Sequence, residues 1–130
     1  MRYLLDTTVL IDHANDRAGV AELLEELFSQ PNDLYTCDVV VTEALSKGDD
    51  DEILIIGSLI RALEYVSTHP DAARWAGESR RQRSATGPRS LSDAVIAGVA
   101  RSLDAIVVTR NSRDFERQGV RVLAYGQTTA

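Results

Sequence analysis

Tyr3-Leu4-Leu5-Asp6-Thr7-Thr8 opens the chain with a short apolar run that stops at a carboxylate and two hydroxyls. The run predicts a buried strand, and the polar residues behind it predict the cap of a helix. A hundred residues on, Ala105 to Thr109 followed by Arg110-Asn111 repeats the arrangement. Leu34 to Cys37 and Tyr65-Val66-Ser67 predict two further strands, and Val120 to Leu123 a last one. These are continuous apolar runs rather than alternating ones, the pattern of strands covered on both faces.

Helical spacing separates the strands. Val20, Leu23, Leu24, Leu27 and Phe28 share one face of a helix that Pro31-Asn32 stops. Asp38 can cap a helix over Val39 to Ser46, and Lys47 to Asp51 is a polar break. Beyond it, Ile53, Ile56, Leu59, Ile60 and Leu63 again have helical spacing, with Asp49-Asp50-Asp51-Glu52 capping and solvating that helix. Pro70 predicts the first residue of a helix that runs through Trp75 into an arginine cluster and ends before Gly87-Pro88. Ser90-Leu91-Ser92-Asp93 leads into a buried helix over Ala94 to Ala100, and a short helix surrounds Asp114 to Arg117. Strands that alternate with helices predict a three-layer α/β/α sandwich with a parallel central sheet, over residues 1–130 as one domain. Ligands of such sheets bind beyond the carboxyl ends of the strands. The strands ending at Asp6 and at Thr109 share a direction, so both endings fall on one edge.

Composition narrows the class. The chain has 130 residues, 44% hydrophobic and 26% charged, the balance of an ordinary globular protein. Cys37 is the only cysteine, which excludes an internal disulfide and a cysteine-based zinc site. No stretch approaches the roughly 18 apolar residues that span a bilayer, and Asp6 interrupts the N-terminal run, so a cytoplasmic protein is expected. The net charge of −6 argues at first against a nucleic-acid partner. Clustered carboxylates that hold divalent ions would reverse that sign locally. The thirteen arginines against a lone Lys47 are unevenly spread, with Arg80, Arg81, Arg83 and Arg89 close together.

Four acids stand where a carboxylate calls for an explanation, and each has an ordinary one. Asp6 ends a buried strand, where its charge is costly unless paired or metal-bound, yet it can also cap the next helix. Glu43 borders the apolar face of Val39 and Val40 instead of the opposite, solvated one. Asp93 opens a buried helix, at capping-box spacing from Ser90. Asp114 fits a first-turn acid favoured by the helix dipole. Among the cations, Arg110 and Arg113 flank the loop before Asp114, and Arg80 and Arg81 precede Asp93. They suit substrate phosphates, or a solvated helix face with partners such as Glu78. Trp75 suits a core or dimer contact better than a base-stacking platform, because aromatics make up only 5% of the chain. His13 and His69 lie far apart without evident partners, which leaves a two-histidine ribonuclease mechanism unsupported.

Taken together, the four acids and their settings resemble the PIN-domain nuclease pattern over nearly the whole chain. "YLLDTTVLID" resembles the family's opening strand, with Asp6 and the Thr8 hydroxyl at the metal. "VVVTEAL" resembles the segment carrying the second acid, Glu43, and "LSDAVIAGVA" the helix carrying the third, Asp93. "AIVVTRNSRDF" is similar to the closing strand and loop, with Thr109 and Asn111 nearby and Asp114 as the fourth acid, the family's least constant element. The compact form most resembles VapC-type toxins. Those usually carry Asp-Thr-Ser where this chain has Asp6-Thr7-Thr8, and the threonine keeps the hydroxyl.

The resemblance implies a metal-dependent endoribonuclease, the toxin half of a toxin–antitoxin pair. Asp6, Glu43, Asp93 and Asp114 would hold Mg²⁺ or Mn²⁺, and hydrolysis would leave a 5′-phosphate and a 3′-hydroxyl. A VapB-like antitoxin would lay its tail over the site, and the toxin would pair as a homodimer. A stand-alone RNA-processing nuclease is the nearest alternative. A non-catalytic RNA-binding scaffold would lack one or more acids, and none is missing. A haloacid-dehalogenase-type phosphotransferase has Asp-x-Asp-x-Thr at the first strand, against Thr8 here, and Lys47 is poorly placed for its lysine. A response-regulator receiver fails for want of an acid pair and of a lysine after the last strands.

Overall fold

A computed structural model describes residues 1–82 and 90–126. The elements run β1 (Arg2–Leu5), α1 (Thr7–Ala14), α2 (Val20–Ser29), β2 (Asp33–Cys37), α3 (Asp38–Ala44) and α4 (Asp50–Ala62). They continue with β3 (Glu64–Val66), α5 (Pro70–Gln82), α6 (Leu91–Leu103), β4 (Ile106–Thr109), α7 (Ser112–Glu116) and β5 (Val122–Ala124). The five strands form one parallel sheet in the order β3-β2-β1-β4-β5, with Leu4 opposite Tyr35 on one side and Val107 on the other. The predicted α/β/α sandwich is the observed fold.

Consecutive strand residues point to opposite faces. Leu4, Leu5, Val107 and Val108 are all fully buried, so both faces of the sheet are covered. Right-handed crossovers put the helices between β1 and β3 on one face and those between β3 and β5 on the other. The packing agrees: α1 lies against α2 and α4, whereas α5 lies against α6, and α6 against α7. Helix α3 starts directly behind β2 and touches both α1 and α6. The chain moves outward from β1 through β2 to β3, then returns to β4 on the other side. The direction of winding therefore reverses between β1 and β4, and the carboxyl ends of those two strands flank the crevice where open α/β sheets bind ligands.

Between α1 and α2, Asp16 and Gly19 take positive φ angles of 52° and 88° and turn the chain. Local details depart from the sequence reading in two places. Asp38 is not the cap of α3, since Cys37 occupies that position. Its carboxylate accepts hydrogen bonds from the Thr68 hydroxyl (2.6 Å), the Thr68 N–H (3.1 Å) and the Val39 N–H (3.0 Å). Burial alone would raise the Asp38 pKa, but the Thr68 and Val39 donors outweigh it and leave it lowered. Asp38 thus ties the end of β2 to the loop before α5. The strands are also shifted by one or two residues, as at β5, where Val122–Ala124 replaces Val120 to Leu123.

Asp49 and Glu52 form the full reciprocal capping box on α4. Arg83, Arg89 and the predicted helix end before Gly87-Pro88 lie outside the described residues. Among the described residues no helix is long and apolar enough to cross a membrane.

Helices α5 and α6 approach closely because position 98 has no side chain. A Cβ on Gly98 would stand 2.6 Å from the Ala72 carbonyl oxygen and 3.4 Å from the Trp75 ring. A backbone carbonyl cannot swing aside, so Gly98→Ala is expected to cost roughly 1–3 kcal/mol of stability. Gly77 on α5 meets nothing within 4 Å, so Gly77→Ala is the matched control. It is expected to be neutral or to stabilise by up to about 1 kcal/mol. Urea denaturation of both variants checks the pair, and equal midpoints would refute the close approach.

Candidate active site

Asp6 directly follows β1 and is only 2% exposed. It occupies the N-cap position of α1 without a side-chain capping hydrogen bond, so capping does not account for its burial. Its Oδ2 instead accepts from the hydroxyls of Thr8 (3.1 Å) and Thr109 (2.8 Å). Each hydroxyl in turn accepts a backbone N–H: Thr8 from Arg110 (3.3 Å) and Thr109 from Asn111 (2.9 Å). A hydroxyl has one proton, and these amides leave it free to point at Asp6. Two consecutive amides of the loop behind β4 therefore orient both donors on the carboxylate. Burial pushes the Asp6 carboxyl above its usual range; hydrogen bonds from Thr109, the Thr7 backbone and Thr8 pull it back, and the charge of Glu43 raises it further.

Glu43 lies half-buried on α3, and its Oε1 accepts the Thr7 hydroxyl at 2.7 Å. Adjacent residues thus serve two acids, Thr7 binding Glu43 and Thr8 binding Asp6. Asp93 is half-buried in the first turn of α6. The cap of that helix is Ser90, whose hydroxyl accepts the Asp93 N–H at 3.1 Å. Asp114 is exposed in the first turn of α7, beside a shallow cleft shared with Arg110, Asn111, Ser112 and Arg113. The structure brings Asp6 and Glu43 within electrostatic reach and puts Asp93 and Asp114 on separate helix starts. Among the described residues, no three His, Cys, Asp or Glu side chains are grouped closely enough to hold a metal ion.

The arginines divide. Arg113 is exposed on α7, and Arg80 and Arg81 are exposed on α5. Arg110 turns inward, with its Nε 2.8 Å and its Nη2 3.3 Å from the Asp12 carboxylate. Trp75 is half-buried against the core with the Arg101 guanidinium 5.6 Å from its ring centroid, a cation–π contact between α5 and α6. The residue that sequence reasoning passed over is Asp12, which is 4% exposed and also accepts the Tyr125 hydroxyl at 2.8 Å. The one signal was its place four residues after Thr8, on the same side of α1.

Comparison with known proteins identifies the fold and the lineage. The family model for the PIN domain matches residues 3–120. Ribonuclease VapC19 of Mycobacterium tuberculosis is 30% identical over 113 residues, covering 86% of this chain and 90% of its own. Among solved structures, VapBC2 from Rickettsia felis, bound to a DNA fragment from its promoter, superposes with a TM-score of 0.81 at 21% identity, covering 96% of this chain and 99% of the other. VapBC-1 from nontypeable Haemophilus influenzae gives a TM-score of 0.77 at 22% identity, covering 95% and 98%. At such identities the structural likeness establishes the fold, while the family model and the curated relative establish the lineage. The chain belongs to the PIN-domain family, as a VapC-type ribonuclease.

Proposed function

We propose that this chain is a metal-dependent endoribonuclease that acts as the toxin of a toxin–antitoxin pair. The observation that carries the proposal is Asp6: a buried carboxylate at the winding reversal of a parallel sheet, held on one oxygen by two hydroxyls, with a second carboxylate near enough to raise its pKa. The donors at hand are oxygens, the type that Mg²⁺ and Mn²⁺ prefer. A divalent cation would also offset the burial cost that Asp6 now bears. Asp6 and Glu43, already within electrostatic reach of each other, would be its first ligands, and Asp93 and Asp114 would have to draw in from the starts of α6 and α7 to complete the shell. When bound, the ion supplies Lewis-acid polarisation of the phosphodiester and acidifies the attacking water.

The chain's own groups do the positioning. Thr8 and Thr109 keep Asp6 from rotating. Thr7 fixes Glu43 at Oε1, and Glu43 orients the attacking water. Arg113 pairs with RNA phosphates near Asp114, and Arg80 and Arg81 extend the cationic track along α5. Arg110 joins them only through the loop it holds, because its guanidinium rests on Asp12. In the cell the partner would be a VapB-like antitoxin whose tail covers the acids, with the toxin as a homodimer in the cytoplasm. The VapBC complexes that share the fold support this reading.

The test is cleavage of total RNA by purified, antitoxin-free protein with Mg²⁺ or Mn²⁺, against the same reaction in EDTA. Metal-dependent cleavage that leaves 5′-phosphate ends is the expected result. Cleavage that persists in EDTA would overturn the carboxylate–metal mechanism.

A further inference from the structure

Asp12 has no part in that chemistry, yet it is among the most buried charges in the described molecule. A buried carboxylate persists only when well paired. Two of its partners come from distant segments, Arg110 from the loop behind β4 and Tyr125 from the residue after β5, and Arg17, just beyond α1, lies 4.0 Å away. Gly126 lies on the same group, at φ 66°, and a Cβ there would stand 3.3 Å from Arg110 Cδ. Arg110 faces two ways. Its guanidinium forks onto Asp12 while its backbone N–H donates to the Thr8 hydroxyl that holds Asp6. Asn111 supplies the matching amide to Thr109.

We infer that Asp12, Arg110 and Tyr125 form a positioning clamp, which anchors the loop behind β4 on α1 and so keeps the Arg110 and Asn111 amides where they aim both hydroxyls at Asp6 Oδ2. The inference rests on Asp6 as a metal ligand. It assigns to Asp12 and Tyr125 a role in the reaction through Thr8 and Thr109, without contact with the RNA, and makes Arg110 a positioning residue rather than a phosphate contact. A clamp of this kind acts on the geometry of the site. A merely structural ion pair would act on stability alone.

Asp12→Asn and Tyr125→Phe are made singly and in a Thr8→Val background, with Asp6→Asn as a reference. Unfolding temperature, Mn²⁺ affinity by calorimetry, and kcat and KM on RNA are measured, all at a temperature where each variant is folded. Asp12→Asn is expected to weaken Mn²⁺ binding and lower kcat by roughly 10- to 100-fold, as loss of a ligand-orienting residue does. KM for RNA should stay within about twofold of wild type, because no substrate contact is removed. Tyr125→Phe, which deletes one hydroxyl, moves both quantities in the same direction by less, and serves if Asp12→Asn does not fold. In the Thr8→Val background each substitution adds less than its loss in the wild type, since only the path through Asn111 and Thr109 is left.

Wild-type Mn²⁺ affinity and kcat in both clamp variants, or losses that add fully to that of Thr8→Val, would overturn the clamp. Unchanged Mn²⁺ binding in Asp6→Asn would overturn the metal site itself, and the clamp with it. The reference variant therefore separates the two failures.

Discussion

Asp6→Asn is expected to lower kcat for RNA by more than about a thousandfold, the scale on which removing one member of a catalytic unit acts. The same substitution should stabilise the metal-free protein. The carboxyl is 2% exposed and burial raises its pKa above the usual carboxylate range. A raised pKa in the folded state means that the fold binds the proton more tightly than the unfolded chain does. The stability this group contributes is therefore present below the ordinary value of 3.8 and is lost as pH rises through the raised one. At neutral pH the ionised side chain is a net cost, and the isosteric amide removes it. Thr8 and Thr109 still find an amide oxygen to donate to.

We expect a gain of about 0.5–2 kcal/mol, in the range typical of substitutions that relieve a functional residue. Metal reverses the order. At Mn²⁺ a hundredfold above Kd the wild type gains about 2.7 kcal/mol by mass action, and Asp6→Asn gains little. Thermal unfolding in EDTA and in Mn²⁺ reads both effects. A variant less stable than wild type in EDTA would show that the buried charge is compensated within the protein and has no need of a cation.

Such a residue is only half legible in a sequence. Leu4-Leu5 and Val107-Val108 declare buried strands because a parallel sheet covered on both faces selects unbroken apolar runs, and these fixed the fold. Asp6 behind the first strand reads equally as a cap or a ligand, and only the pattern of four acids separates the two. The geometry then removes the cap, since the side chain turns from the helix to two hydroxyls. Asp12 was legible only by its place four residues after Thr8 on α1. An aspartate in an amphipathic helix reads as solvated, and its partners Arg110 and Tyr125 stand 98 and 113 residues away. Tertiary folding alone brings them together. The turn between α1 and α2 carries little sequence signal for a local reason, because Asp16 adopts a positive φ that aspartate tolerates without advertising it.

Phe115→Ala is expected to have the largest effect on stability, roughly 3–5 kcal/mol, the usual cost of emptying a buried aromatic site. That is a large share of the roughly 5–15 kcal/mol by which a domain is folded. Phe115 is fully buried, and it is the only buried residue of the five-residue helix α7. A helix this short cannot hold its shape by its own hydrogen bonds, so its place depends on that ring. Gln118 adds a tether, its amide donating to the Asp114 carbonyl at 2.9 Å and its oxygen accepting from Ser79 of α5 at 3.4 Å.

The consequence reaches the site, because α7 carries Arg113 and Asp114. Phe115→Ala should raise KM for RNA at temperatures where the protein remains folded, through loss of order at the rim. Phe115→Leu keeps most of the volume and should cost less than about 1.5 kcal/mol with KM close to wild type. The two variants compared by urea denaturation and by cleavage kinetics distinguish anchoring from bulk burial. A Phe115→Ala protein with a lowered midpoint but an unaltered KM would show that α7 keeps its place without the ring, held by Gln118 and the strands on either side.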